Sequence, residues 1–222
     1  MEVSNKEFIN RTLSSLALIT GLIFIILKIP IFLNFLIIIV LLLSAYEWHK
    51  MVKQISLKFC GFLFIIISFF SVYKVINLGE SFLNFIFVLL ICISTDIGGY
   101  VFGKILKGPK LTKISPNKTY SGMIGGYLIS ILSVIIFIFL TGFVGNTEYV
   151  SNLTYVILLT FLISSISQIG DLVISFFKRL SGLKNTGNII PGHGGILDRI
   201  DGMIFAFPFY YIIFLIIDFR LA

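Results

Sequence analysis

NLTYVILLTFLISSISQIGDLVISFF, residues 152–177, is apolar over a length that crosses a bilayer, yet it carries Asp171 inside it. A spanning helix needs about 20 mostly apolar residues. Ser164, Gln168, Asp171, Ser175 and, just past the stretch, Lys178 recur at spacings that place them along one helix face. At 1.5 Å per residue Asp171 lies roughly 10 Å from Lys178. The stretch reads as a membrane helix with one wet side that opens at its C-terminal end.

The rest of the chain agrees with a bilayer. Of its 222 residues 58% are hydrophobic and 12% charged, and the mean hydropathy is +1.07; a soluble domain of this length is less oily. Six further stretches are apolar enough to span, at residues 12–28, 30–47, 57–76, 82–103, 122–143 and 203–219. The sequence therefore predicts an all-α, polytopic integral membrane protein of about seven transmembrane helices. Pro30 predicts a tight turn between the first two. The first stretch has no small-residue cleavage site after it and reads as retained, not as a signal peptide.

Charge sets the orientation. With a cytoplasmic N-terminus only Lys28, Lys74 and Arg220 of the 17 Lys and Arg residues fall outside, a strong positive-inside bias. The net charge of +7 is spread over loops between spans, which excludes a compact nucleic-acid-binding surface. Cys60 and Cys92 sit in apolar runs and read as packing residues, without a disulfide framework. Tyr46, Glu47, Trp48, His49 and Lys50 end the second span and read as an interfacial set, with His49 solvated. The division expected is an N-terminal scaffold of membrane helices over 1–80 and a catalytic membrane domain over 81–222.

Polar residues gather at the cytoplasmic ends of the later spans. Asp96 lies in the fourth span, roughly 12 Å from Lys104, at about the depth of Asp171. A carboxylate inside hydrocarbon costs at least about 2.5–3.5 kcal/mol and marks function. Two such carboxylates opening to the same side predict a shared cytoplasm-facing polar cavity. Residues 115–122, SPNKTYSG, concentrate donors ahead of the fifth span, whose free N–H groups suit a phosphate. Gly122, Gly125 and Gly126 then read as a close helix contact.

Residues 175–201, SFFKRLSGLKNTGNIIPGHGGILDRID, return to the same mouth. Asp198 and Asp201, at i and i+3, are expected on one face with a divalent cation beside them. An oxygen-only donor set favours Mg²⁺ or Mn²⁺ over zinc. The glycines allow a nest of N–H groups for an anion. Acid pairs for metal and lysines for charge are what phosphoryl or nucleotidyl transfer requires.

This signature, running from Ser175, Lys178 and Arg179 through Lys184, Asn185 and Gly187 to Ile190–Asp201, resembles the C-terminal signature of the phosphatidate cytidylyltransferases, or CDP-diacylglycerol synthases. The segments Asp96–Gly103, Lys113–Gly122 and Gly170–Leu172 are similar to that family too, and the likeness covers about residues 90–215. It implies nucleotidyl transfer from CTP to phosphatidate, giving CDP-diacylglycerol and pyrophosphate for phospholipid synthesis in the bacterial inner membrane. It implies a catalytic set of Asp171, Lys178, Asp198 and Asp201. Asp171, Asp198 and Asp201 would hold Mg²⁺ or Mn²⁺, and Asp96 would line the cavity or hold a second cation. Lys118, Lys178, Arg179, Lys184 and Arg199 would balance phosphate charge. Ser115, Asn117, Thr119, Ser175, His193, Gly194 and Gly195 would position the substrates.

Two departures stand out. The family pattern has Lys-Asp where this chain has Lys184 and Asn185, and the front half is short. The partners expected are CTP, phosphatidate and other membrane lipids, with a homodimer compatible with the reading. A cytidylyltransferase for another lipid phosphate shares all of this chemistry. A cation-coupled transporter would use Asp96 and Asp171 as a relay, but no inverted repeat accompanies them.

Overall fold

The computed structural model describes residues 30–77, 82–142, 153–190 and 194–221. The first expected span, 12–28, lies outside the described residues. The described elements are α1 Pro30–Met51, α2 Ile55–Ile76, α3 Leu83–Leu106, α4 Tyr120–Thr141, α5 Leu153–Leu180, the single turn α6 Leu197–Ile200 and α7 Met203–Leu221. Five helices among the described residues are long and apolar enough to cross a membrane, and α7 contributes a shorter apolar stretch, Met203–Ile216. Pro30 is the first residue of α1, where its fixed φ and missing N–H suit a helix start.

α7 packs on α2, α3 and α5, while α6 leans on α1. One apolar cluster joins Val75, Val88, Ile91, Val134, Ile163 and Phe207; a second joins Trp48, Met51, Ile65, Phe69, Ile174, Leu197 and Ile204. Apolar side chains such as Leu42, Phe59, Leu132 and Phe139 point outward, the pattern of a chain whose solvent is lipid. Hydroxyls inside the helices donate to their own backbone: Ser44 to the Val40 carbonyl at 2.6 Å, Ser71 to Ile67 at 2.9 Å and Thr160 to Val156 at 2.7 Å. These three thereby cross hydrocarbon with their donors met. Cys60 is exposed and Cys92 buried, both as free thiols.

The most extensive helix contact is α3 on α4. A Cβ on Gly98 would stand 2.4 Å from the Gly125 carbonyl oxygen, and one on Gly125 would stand 2.9 Å from the Gly98 oxygen. The two backbones touch because neither carries a side chain. Gly98→Val is therefore expected to force α3 and α4 apart at a cost of about 1–3 kcal/mol or more, seen as a lower melting temperature in detergent. α4 itself begins at Thr119, whose extended backbone turns Oγ1 to accept the Gly122 N–H at 3.1 Å, an ordinary N-cap.

Candidate active site

The last turns of α3 and α5, the loop between α3 and α4, and the start of α4 enclose a polar cavity of about 410 Å³. α3 contributes Thr95, Asp96, Gly99 and Tyr100. The loop adds Ser115, Asn117, Lys118 and Thr119, and α5 adds Gln168, Asp171, Ser175, Lys178 and Arg179, with Lys184 and Asn185 beyond it. Lys118, Lys178, Arg179 and Lys184 face Asp96 and Asp171 there, so the lining is net cationic and attracts a polyanion. The volume falls in the range of small-molecule sites, roughly 300–1,000 Å³.

Asp171 is the meeting point. Lys118 forms an ion pair with its Oδ2, and Ser175 donates to Oδ1 at 3.3 Å, one turn away on the same face. The Asp201 carboxyl lies within hydrogen-bonding reach of it, and Asp96 feels the charges of Asp171, Lys118 and Arg199. α7 reaches Asp171 because Gly170 leaves room. A Cβ on Gly170 would be 2.9 Å from the Asp201 carbonyl oxygen and 2.6 Å from the Phe205 ring. Asp201 is buried, and its Oδ1 accepts the N–H of Gly202 at 2.9 Å.

α5 ends in a left-handed turn at Gly182, φ 69°, whose N–H and that of Leu183 return to the carbonyls of Arg179 and Lys178. The chain then runs through Lys184–Ile190 and is bridged to Gly194, φ 86°. Asp198 ties this loop to α5: its Oδ1 accepts Lys178 Nζ at 2.8 Å, and its Oδ2 accepts the N–H groups of Thr186 at 2.8 Å and Gly195 at 3.1 Å. Burial opposes ionisation of Asp198, but the Lys178 hydrogen bond and the two amides outweigh it and hold the carboxyl below its ordinary value.

A group so lowered stabilises the fold above its unfolded value, about 3.9, and the contribution is lost as pH falls through the lower folded value. Acid unfolding is expected to include a component below about pH 4 that Asp198→Asn lacks. The fluorescence of Trp48, the chain's single tryptophan, reads it.

Glu47 holds the loop from the opposite side. It is 1% exposed. Oε2 accepts Thr186 Oγ1 at 2.8 Å and the Leu197 N–H at 2.9 Å, and Oε1 accepts the Ile196 N–H at 3.0 Å. A Cβ on Gly187 would be 2.6 Å from Oε1, and one on Gly195 would be 2.4 Å from Oε2, so both glycines make room for this carboxyl group. Trp48 beside it is also buried, 4% exposed, and its ring meets Phe177 edge-on at 5.0 Å. Only part of the interfacial reading of residues 46–50 holds: Tyr46 is exposed, while Glu47 and Trp48 face inward because α6 and the loop pack on this end of α1. The contact crosses the division expected at residue 80.

The expected metal set is not gathered as one group. Asp171 and Asp201 face each other, whereas Asp198 points to Lys178 and the loop amides. Asp201 keeps helical dihedrals, φ −55° and ψ −41°, at the end of α6, so the i, i+3 spacing from Asp198 holds. What divides the set is the partners: loop amides and Lys178 for Asp198, and the Gly202 N–H for Asp201. Among the described residues no cluster of three or more His, Cys, Asp or Glu side chains is arranged to hold a metal. Mg²⁺ needs fewer, since it is commonly held by one or two carboxylates plus substrate phosphates. The neighbouring carboxyl oxygens of Asp171 and Asp201 fit that need.

Ser115, Asn117, Lys118, Thr119, Ser175, Lys178, Arg179 and Lys184 line the cavity. Thr119 is also the α4 cap, and an Arg179 guanidinium nitrogen donates to the Leu183 carbonyl at 3.0 Å. Gly194 and Gly195 lie in the loop against Asp198 and Glu47. Arg199 lines a separate apolar groove of about 330 Å³ between α1, α2, α3 and α7. His193 lies outside the described residues. Sequence reasoning read Glu47 only as part of an interfacial set and did not single out Thr186; the structure joins the two by a hydrogen bond.

A cytidylyltransferase family profile matches residues 52–217. The chain is 35% identical over 200 residues to the phosphatidate cytidylyltransferase of Staphylococcus haemolyticus, covering 78% of this chain and 74% of that protein. It is 38% identical over 133 residues to the enzyme of that name from Brucella suis, covering 60% of this chain and 47% of the relative. For the one from Rickettsia bellii the identity is 39% over 133 residues, with 59% and 58% covered. The chain thus spans about half the length of the Brucella relative and three quarters of the staphylococcal one.

Proposed function

The chain belongs to the cytidylyltransferase family, and from that premise we propose that it converts CTP and phosphatidate to CDP-diacylglycerol and pyrophosphate. One observation carries the reading: a net cationic cavity of about 410 Å³, with Lys118, Lys178, Arg179 and Lys184 around Asp96 and Asp171, in a bundle otherwise apolar. A nucleoside triphosphate supplies the anionic charge that this lining lacks. The positive-inside distribution supports a mouth and an N-terminus on the cytoplasmic side of the inner membrane, where CTP is found.

In the reaction a phosphate oxygen of phosphatidate attacks the α-phosphorus of CTP. The bond from that phosphorus to the bridging oxygen breaks, and pyrophosphate leaves. The attacking phosphate is already ionised, so the site has no need of a strong general base. Lys118 and Lys178 are placed to neutralise the triphosphate and the charge that moves onto the leaving group. Ser115 and Asn117, at the loop side of the cavity, face the nucleotide. Asp171 and Asp201 would hold Mg²⁺ or Mn²⁺, which when bound supplies charge neutralisation and in-line orientation of the phosphates. Lys118, paired with Asp171, lines the cavity and would turn its ammonium to the triphosphate.

The test is purified protein in detergent with labelled CTP, phosphatidate and Mg²⁺, the lipid product being identified as CDP-diacylglycerol. A parallel series of other lipid phosphates fixes the substrate. Failure to label any lipid phosphate, with the protein folded and metal present, rules the proposal out.

A further inference from the structure

We propose that Glu47 is a positioning residue of this site, clamping the loop between Thr186 and Leu197 so that Asp198 holds Lys178 at the cavity and Asp201 keeps its place beside Asp171. The proposal rests on the cytidylyltransferase reading for what the site does, though not for the clamp itself. Three hydrogen bonds from a side chain 1% exposed tie the end of α1 to both arms of the loop: to Thr186 Oγ1 on the way out and to the N–H groups of Ile196 and Leu197 on the way back. Asp198, the next residue, accepts from the same two arms, through Thr186 N and Gly195 N, and meets Lys178.

Glu47 and Asp198 therefore grip one loop from its two sides. Only Asp198 reaches the cavity, through Lys178. Gly187 and Gly195 lack the side chains that would expel the Glu47 carboxyl group. Ile196 and Leu197 open the turn that delivers Asp201 toward Asp171, so a shift of the clamp moves a carboxylate of the site. Among the interactions of the described residues, Glu47 meets loop atoms and no lining group of the cavity; it acts through what it holds.

Glutamine at 47 keeps the shape but turns one acceptor into an amino group facing an N–H donor. Glu47→Gln is expected to lower kcat roughly 10- to 100-fold, as when groups that orient the working residues are lost, with the KM for phosphatidate unchanged. In the same protein, hydrogen exchange in peptides covering 185–198 accelerates, while peptides of α3 and α4 keep their protection. Thr186→Val removes one of the three bonds and lowers kcat in the same direction by less; Thr186→Ser, which keeps the hydroxyl, restores it. The proposal is overturned by a folded Glu47→Gln protein with wild-type kcat, or by unchanged exchange over 185–198. Where Glu47→Gln does not fold, a Thr186→Val protein with wild-type kcat overturns it. If the wild type itself labels no lipid, the functional reading falls, and the exchange measurement still decides the clamp.

Discussion

Asp171→Asn is expected to slow CDP-diacylglycerol formation roughly 10²- to 10³-fold, the scale of losing one preorganised electrostatic group, while the protein melts within a few degrees of the wild type. Asparagine keeps the volume and one acceptor for Ser175, whose bond to Oδ1 is 3.3 Å. It loses the charge that pairs Lys118 and faces Asp201. The stability effect is small because the Lys118 pair is partly exposed, 25% and 28%, and such pairs are worth about 0–1 kcal/mol. The rate of lipid labelling at saturating CTP, measured over a range of Mg²⁺ and Mn²⁺ concentrations, checks it. Activity near the wild-type level would remove Asp171 from the centre of the site.

Lys178→Met is expected to fail in both respects. Lys178 and Asp198 have side chains 10% and 11% exposed at 2.8 Å, and losing one partner of such a pair costs about 3–5 kcal/mol because the other is left buried and uncompensated. For a chain of this size that lowers the melting temperature on the order of 10 °C. Turnover disappears too, since the same ammonium lines the cavity. The double variant Lys178→Met with Asp198→Asn removes the stranded charge and regains most of the melting temperature without regaining turnover. Recovery of both would show that Lys178 serves the fold alone.

How far the sequence reached depends on the kind of signal. The spans were legible because a bilayer demands long apolar helices, and α2 to α5 begin and end within a few residues of the stretches read from hydropathy. The wet face of α5 was legible because its residues share one helix: Gln168, Asp171, Ser175 and Lys178 do line one cavity. Asp198 and Asp201 keep the helical dihedrals that their i, i+3 spacing implied, but the partners that divide them, Lys178 and the Thr186 N–H for Asp198, lie on other elements that local spacing does not reveal. Glu47 could not be read at all. Its partners lie 139 to 150 residues away and two of them are backbone amides, which carry no side-chain pattern. The one available clue was a carboxyl group ending an apolar run beside a tryptophan, which reads equally well as a headgroup contact.

The Glu47 contact also bears on how the chain is made. Glu47 leaves the ribosome 139 residues ahead of Thr186, so α1 enters the bilayer with an acceptor whose donors have not been synthesised. At the C-terminal end of α1 that acceptor has only water to meet it through the insertion of four further helices, until Thr186, Ile196 and Leu197 replace the water. Every residue lining the cavity, from Thr95 to Asn185, is therefore made before the Ile196 and Leu197 amides that dock on Glu47, and the loop that carries Asp198 to Lys178 is fixed to α1 only after the walls of the cavity exist.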